Sequence, residues 1–434
     1  MKVIGAGVTG LAAGQTSRAP VYEQNDGPGG LCRSYYMRPG DPTRLDHAPP
    51  DGNAYRFEVG GGHWIFGGTP EVLELLDQTA PLKSYRRRAV VRLGDLGTTV
   101  GYPLQDHIDE LPPSLSRQIA RELRHNGSVA VRPSTLREWL QQSFGPTLCQ
   151  LFFFPFHQRY TAGLFDVVAP QDGYKSPAFG VRAPARAGYN ATFSYPEGGL
   201  DALAAAMSAQ CDVRYGSKLV GIDPRCRILQ FANGSEQGYG TLVSTVPLHL
   251  VMGLTRLELG DRADPSTSVL VLNIGAERGS ECPDVHWQYE PDARSGFYRI
   301  GFYSSVDQSF LPKNRRGTGS HVSLYVERAY GSGDRPSEDE RTGYMRAVVE
   351  ELRGRGYIEA VEVVDPSWVE VAYTWRMPGS HWRDQALASL TLDGIHQVGR
   401  YGAWHFQGIA DSVRDGLAIG QSVAHTRVGS CQPH

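Results

Sequence analysis

The chain opens on KVIGAGVTGLAAG, and no other stretch restricts its fold as tightly. A short strand, Lys2-Val3-Ile4, runs into Gly5, Gly7 and Gly10, spaced G-x-G-x-x-G, and a helical segment follows. Each glycine answers a separate demand. Gly5 permits a tight turn, Gly7 lets backbone approach a pyrophosphate, and Gly10 lets the helix pack close to the strand. Amides at the helix N-terminus then face the phosphates. A second strand, Pro20 to Glu23, ends on an acid 18 residues after Gly5. That is close to the roughly 20-residue offset at which a carboxylate accepts hydrogen bonds from ribose hydroxyls. A chance glycine cluster would lack this context, so the reading is a Rossmann-like, dinucleotide-binding α/β domain.

QNDGPGGLCRS follows Glu23 directly. Gly29 and Gly30, with Leu31 beside them, offer a second close backbone approach. Arg33 adds a cation near the same phosphates and Ser34 a hydroxyl; the alternative for Arg33 is a solvated surface charge. A plain nicotinamide site has no use for this second loop. The combination resembles the flavoprotein superfamily that includes amine oxidases, protoporphyrinogen oxidase and UDP-galactopyranose mutase. The resemblance implies bound FAD.

With 434 residues the chain has room for two or three domains. Its 40% apolar and 21% charged residues are ordinary for a soluble globular protein. A formal charge of −3 gives no global attraction to nucleic acid or acidic membranes. No apolar run reaches the roughly 18 residues of a membrane span, and a strand beginning at Lys2 leaves no room for a signal peptide. Six scattered cysteines form no C-x-x-C, and the histidines lack zinc-ligand spacing. The expectation is a cytoplasmic protein with reduced thiols, no metal, and no nucleic-acid or membrane partner.

Residues 41–56 read as an exposed Pro/Asp/Gly loop. Residues 70–165 read mainly helical: TPEVLELLDQTA and STLREWLQQSF carry apolar residues at helical spacing, the second capped by Ser134 or Thr135. DVRYGSKLVGID and TLVSTVPL return to the sheet. VLVLNIG, FYRIGFY, HVSLYVE and VEVAYTWRM read as strands, with one helix at about 338–353 between them. The expected architecture is a discontinuous FAD-binding domain (1–69, 186–250 and 385–434), a mainly helical insertion (70–185) and a mostly antiparallel β-sheet substrate domain (251–384).

Five stretches, in order along the chain, resemble segments of eukaryotic-type UDP-galactopyranose mutases: VGGGHWIFGG (59–68), GYPLQDHIDELP (101–112), GYNATFSYPEGGLDAL (188–203), FYRIGFYSS (297–305) and GRYGAWHFQGIADSVRDGL (399–417). The resemblance implies an isomerase that uses reduced FAD without net redox change, with flavin N5 as nucleophile at the anomeric carbon of a UDP-sugar. The implied partners are a nucleotide-sugar substrate and an external reductant. The common trade of the wider superfamily gives the alternative, an FAD-dependent oxidase or dehydrogenase acting on a sugar or other small metabolite.

The resemblance also assigns residues. Arg299 would grip the diphosphate, the alternative being a structural Arg–carboxylate pair. Gly61 and Gly62 would let backbone pass the isoalloxazine ring. His63, through its ring or its backbone carbonyl, would hydrogen-bond flavin N5–H, and Trp64, Ile65 and Phe66 would anchor the loop. Leu219, Gly399, Arg400, Asp411, Ser412 and Val413 complete the cofactor set, Asp411 serving equally well as a helix N-cap. Tyr102, Gln105, Asn190, Tyr289 and Tyr373 complete the substrate set, with Tyr102, Gln105 and Asn190 reading equally well as satisfied polar residues at a domain junction. Trp287 and Tyr289 read as base-stacking rings or as core packing. Two departures stand out. Val167 occupies the place of the family's second diphosphate arginine, for which Lys175, Arg159 or Arg182 are possible substitutes, and Phe406 replaces a tyrosine.

Overall fold

A computed structural model describes residues 1–125, 132–171 and 191–428. The opening motif folds as its spacing demands. Lys2–Ile4 is the middle strand of a five-stranded parallel sheet, ordered Ile395–Gln397, Leu242–Ser244, Lys2–Ile4, Val21–Tyr22, Val213–Arg214. Gly5 turns the chain at φ +94°. A methyl group at Gly10 would stand 1.8 Å from the Gly5 carbonyl oxygen, so the helix Val8–Ser17 lies directly on the strand.

That helix has no polar face over residues 8–14, which are all buried. A helix apolar all round needs cover on every side. The C-terminal helix Ile409–Val428 supplies it and approaches through glycines. A methyl at Gly416 would meet the Thr9 carbonyl oxygen at 2.2 Å, and one at Gly420 would meet Thr16 Oγ1 at 2.0 Å.

The second layer is a seven-stranded sheet, ordered Ile358–Thr374, Ser266–Arg278, His321–Gly331, Arg299–Phe302, Trp287–Tyr289, Ala89–Leu93, Thr98–Gly101. Every neighbouring pair is antiparallel except Trp287–Tyr289 with Ala89–Leu93. The expected α/β class with a mostly antiparallel sheet is what the chain forms.

The stretch expected to be mainly helical also carries strands. It begins with the helix Pro70–Thr79 and continues with Pro113–His125, Leu136–Leu148 and Phe154–Tyr160, but Leu82–Arg86, Ala89–Leu93 and Thr98–Gly101 are strands. Ala89–Leu93 alternates buried and half-buried residues, a strand period that the helical runs on either side mask. Thr135 caps Leu136–Leu148 in a reciprocal box with Glu138, and Ser337 caps Glu338–Gly354 likewise with Glu340.

Alternation along His321–Gly331 sets up the site. Val322, Leu324 and Val326 pack with Tyr344, Val348 and Leu352 of the helix Glu338–Gly354. Tyr325 belongs to the opposite core, which the nucleotide-binding elements share. Among the described residues no helix is long and apolar enough to cross a membrane.

Candidate active site

A cavity of about 1230 Å³ opens where the C-terminal ends of the parallel strands meet the inner face of the seven-stranded sheet. Ligands of doubly wound folds bind beyond those strand ends. The volume exceeds the roughly 300–1,000 Å³ typical of a single small-molecule pocket, as a dinucleotide plus a substrate requires.

At the nucleotide end, Glu23 is buried and its carboxylate sits against both loops. Oε2 accepts from the Ala6 amide at 2.7 Å, while Oε1 accepts from the Asn25 amide at 2.9 Å and from Asn25 Nδ2 at 2.7 Å. The second glycine pair is stitched to the first motif by the Gly29 amide, which donates to the Ala6 carbonyl at 2.8 Å. Gly7 is the N-cap of the first helix and has no side chain to satisfy the leading amides, and the first turn carries no acid. A methyl at Gly7 would meet nothing closer than the Gly29 carbonyl oxygen at 3.9 Å. The space beside Gly7 is therefore open cavity, next to unsatisfied amides at a positive helix end. These features fit the pyrophosphate and ribose of FAD. Gly30, Leu31, Leu219, Gly399, Arg400, Asp411 and Ser412 line the same cavity.

Other cofactor expectations change. Arg33 lies off the cavity wall, paired with Asp46 at 2.8 Å and Asp26 at 3.6 Å. Ser34 points inward and donates to Glu58 Oε1 at 2.9 Å. Glu58, fully buried, is pushed up to about 7 by burial. Val413 is packed in the core behind the wall. Asp411 is not an N-cap: the last helix starts at Ile409, and Asp411 lies in its first turn, paired with Arg414 at 3.0 Å.

EVGGGHWIFGG shows why three glycines precede a histidine. A methyl at Gly60 would stand 2.3 Å from His63 Cε1, at Gly61 2.7 Å from Glu327 Oε1, and at Gly62 2.0 Å from Tyr325 Oη. The bare backbone makes room for the protein's own side chains as well as for a ligand. Trp64 and Ile65 are buried, Trp64 against Phe193 and Tyr195 at ring distances of 5.3 and 5.1 Å. His63 lines the cavity, with Nδ1 3.3 Å from the Gly61 carbonyl oxygen.

Burial, and next the Arg400 cation, lower the His63 pKa to about 4; burial and Arg88 do the same to His286. Both imidazoles are therefore neutral at pH 7. The unfolded chain takes up those protons near pH 6.5, so stability falls as pH drops from 6.5 towards 4 and is free of this penalty above 6.5. The urea midpoint of the holoprotein is expected to decline between pH 6.5 and 4, a slope partly offset by the Glu58 carboxyl, which is raised to about 7 and favours the fold as pH falls through that value. His63→Gln should reduce that decline, and an unchanged slope would reject the assignment.

The substrate end is aromatic and cationic. Arg299 donates through Nε to Glu327 Oε2 at 2.9 Å and through Nη2 to Oε1 at 2.7 Å. Glu327 also accepts from Tyr298 Oη at 2.7 Å and is 2% exposed. The structural-pair alternative for Arg299 is thus present, yet Arg299 still lines the cavity, and Nη1 makes no hydrogen bond among the described residues. Tyr102 and Tyr289 both line the cavity and meet at 4.4 Å between ring centroids. Arg400 donates to the Ala372 carbonyl at 2.8 Å, and its guanidinium lies 4.3 Å from the Phe406 ring and 5.2 Å from Tyr373. Phe406 loses the hydroxyl of a tyrosine but keeps the face on which this cation rests.

The remaining substrate expectations divide. Trp287 is both core and cavity wall. Gln105 is buried at 1% exposure and lies off the wall. Val167 is 46% exposed, outside the cavity. Arg159 is committed to the carbonyls of Pro291 and Ala293. Asn190, Lys175 and Arg182 lie outside the described residues. Sequence reading missed Glu327 and Arg87. A lone acid ending the apolar run HVSLYVE was the signal for the first; the second hides in the run Arg86-Arg87-Arg88, which reads as solvated charge.

A family model described as flavin containing amine oxidoreductase matches residues 8–422. The fold is similar to that of reduced UDP-galactopyranose mutase, with TM-score 0.79 and 22% identity over 98% of this chain and 93% of that one. It is also similar to a CLA-producing fatty acid isomerase from P. acnes (TM-score 0.62, 15% identity, 96% and 97% covered). An oxidoreductase from Methanosarcina mazei shares it too (TM-score 0.61, 16% identity, 98% and 100% covered). No curated protein sequence matches the chain. With glycine loops, acid and cavity in the places a flavin dinucleotide requires, and a match over nearly the whole length, the chain belongs to the flavin containing amine oxidoreductase family and its cofactor is FAD.

Proposed function

We propose that this flavin enzyme is a sugar-nucleotide mutase that interconverts the pyranose and furanose forms of a UDP-sugar, UDP-galactose or a relative. The observation that carries the reading is Arg299, a guanidinium held on the cavity wall among aromatic residues. The fold likeness to UDP-galactopyranose mutase supports it. When bound and reduced, the flavin supplies a nucleophile at N5 and returns unchanged, so the cycle needs an external reductant only to enter the active state.

The chain's own residues do the rest. Glu327 fixes the plane of Arg299 through two hydrogen bonds and leaves Nη1 for a leaving diphosphate. His63 stays neutral, which leaves one imidazole nitrogen able to accept a hydrogen bond. Trp287, Tyr289, Tyr298 and Phe66 wall the space and exclude water from the reacting centre.

The test incubates UDP-galactofuranose with dithionite-reduced and with oxidised holoenzyme. Ring expansion in the reduced sample alone is the expected result. Absence of isomerisation, with bleaching of the flavin by a candidate metabolite, would sink the mutase in favour of an oxidase or dehydrogenase. That second reading is favoured by the neutralisation of Arg299 by Glu327 and by the outward placement of Val167. Within the mutase reading, Arg299→Ala raises the apparent KM far more than it lowers flavin content; matched losses of both would assign Arg299 a structural role.

A further inference from the structure

Arg86, Arg87 and Arg88 sit at the corner between the strands Leu82–Arg86 and Ala89–Leu93, and the three side chains go to different places. Arg86 is exposed. Arg88 is committed to Asp284 at 2.7 Å and to the Ser305 carbonyl at 2.9 Å, and it leans on His286. Arg87 alone of the three turns into the cavity. Its Nη2 donates to the Tyr102 carbonyl at 3.0 Å, and its guanidinium lies 5.5 Å from the Tyr102 ring. No carboxylate pairs with it among the described residues, in contrast to Arg299 with Glu327 and Arg88 with Asp284.

A cation kept against aromatic wall without a counter-charge leaves hydrogen-bonding capacity for an anion. The sheet register brings a second cation to the same wall. The Tyr102 ring meets the Tyr289 ring at a tilt, and Tyr289 is the cross-strand partner of Arg299. Arg87 and Arg299 therefore both border the Tyr102–Tyr289 contact on the wall of one cavity. Two guanidinium groups on one cavity wall suit a diphosphate, which spreads its charge over two phosphates, better than a single carboxylate.

We propose that Arg87 is a substrate-binding residue that holds one phosphate of a nucleoside-diphosphate-linked substrate while Arg299 holds the other. The assignment rests on the nucleotide-sugar reading above. It deepens that reading by naming a contact that neither the family motifs nor the sequence pattern singled out.

The experiment titrates dithionite-reduced holoenzyme with UDP and, separately, with uridine, following the flavin spectrum. It uses wild type, Arg87→Met, Arg87→Lys and the neighbouring control Arg86→Met. Arg87→Met is expected to weaken UDP binding by roughly 10- to 100-fold, the range of one lost charge-assisted contact. Uridine binding should move less than about threefold, since it makes no phosphate contact. Arg87→Lys should recover part of the UDP affinity, and Arg86→Met should match wild type. UDP affinity unchanged in Arg87→Met overturns the assignment and leaves the mutase reading standing. Parallel loss of UDP, uridine and flavin assigns Arg87 to loop packing and likewise overturns it. A wild-type enzyme that binds neither UDP nor uridine overturns the nucleotide-sugar reading and the Arg87 assignment together.

Discussion

Glu327→Ala is expected to destabilise the holoprotein by about 3 kcal/mol, the lower end of the range for stranding one partner of a buried ion pair. The lower end applies because Arg299 keeps 19% of its side chain open to the cavity, where water relieves part of the charge. Three contacts end together. Arg299 loses both of its charged hydrogen bonds, Tyr298 Oη loses its acceptor, and the wall behind Gly61 disappears. Glu327→Gln keeps the shape and one acceptor, so its loss should be smaller. Urea denaturation at saturating FAD separates the three proteins. If Glu327→Ala matches wild type, the pair contributes nothing to the fold and the glycine run needs another explanation.

Flavin retention distinguishes the two inner glycines of the opening motif. Gly10→Ala places a methyl 1.8 Å from the Gly5 carbonyl oxygen, a backbone contact that no rotamer relieves. The first helix must lift from its strand, and both flavin content and apoprotein stability should collapse. Gly7→Ala meets only the Gly29 carbonyl oxygen, at 3.9 Å, and adopts an ordinary φ of −70°. Its methyl occupies the space the pyrophosphate needs. The expected product is a folded protein of near-normal stability that purifies largely without flavin. Thermal unfolding and the visible spectrum read the two effects separately. Full flavin occupancy in Gly7→Ala would place the phosphates elsewhere.

The local demands of the cofactor loops were legible because they act over short sequence distances. Turn, close approach and helix packing each name glycine at a fixed offset, and Glu23 follows within one βαβ unit. The capping boxes at Thr135 and Ser337 are legible for the same reason. The strands 82–101 were not, since five-residue runs flanked by strong helical periodicity give too few repeats to declare a period. The direction of Arg33 was not legible, because sequence adjacency to the phosphate loop does not fix where a long side chain goes, and Asp26 and Asp46 pair with it.

EVGGGHWIFGG marks the same boundary. By itself the sequence determined that a side-chain-free backbone runs beside a histidine and that three bulky residues anchor it. Only the tertiary structure decided what fills the space those glycines leave. Strand register, set by pairing over hundreds of residues, brings Tyr325 and Glu327 against Gly62 and Gly61 and lays Arg299 across from Glu327. It likewise turns Arg87 inward while its two neighbours face elsewhere. Such placements depend on side-chain direction at the edge of a sheet assembled from distant segments, and no local pattern encodes that.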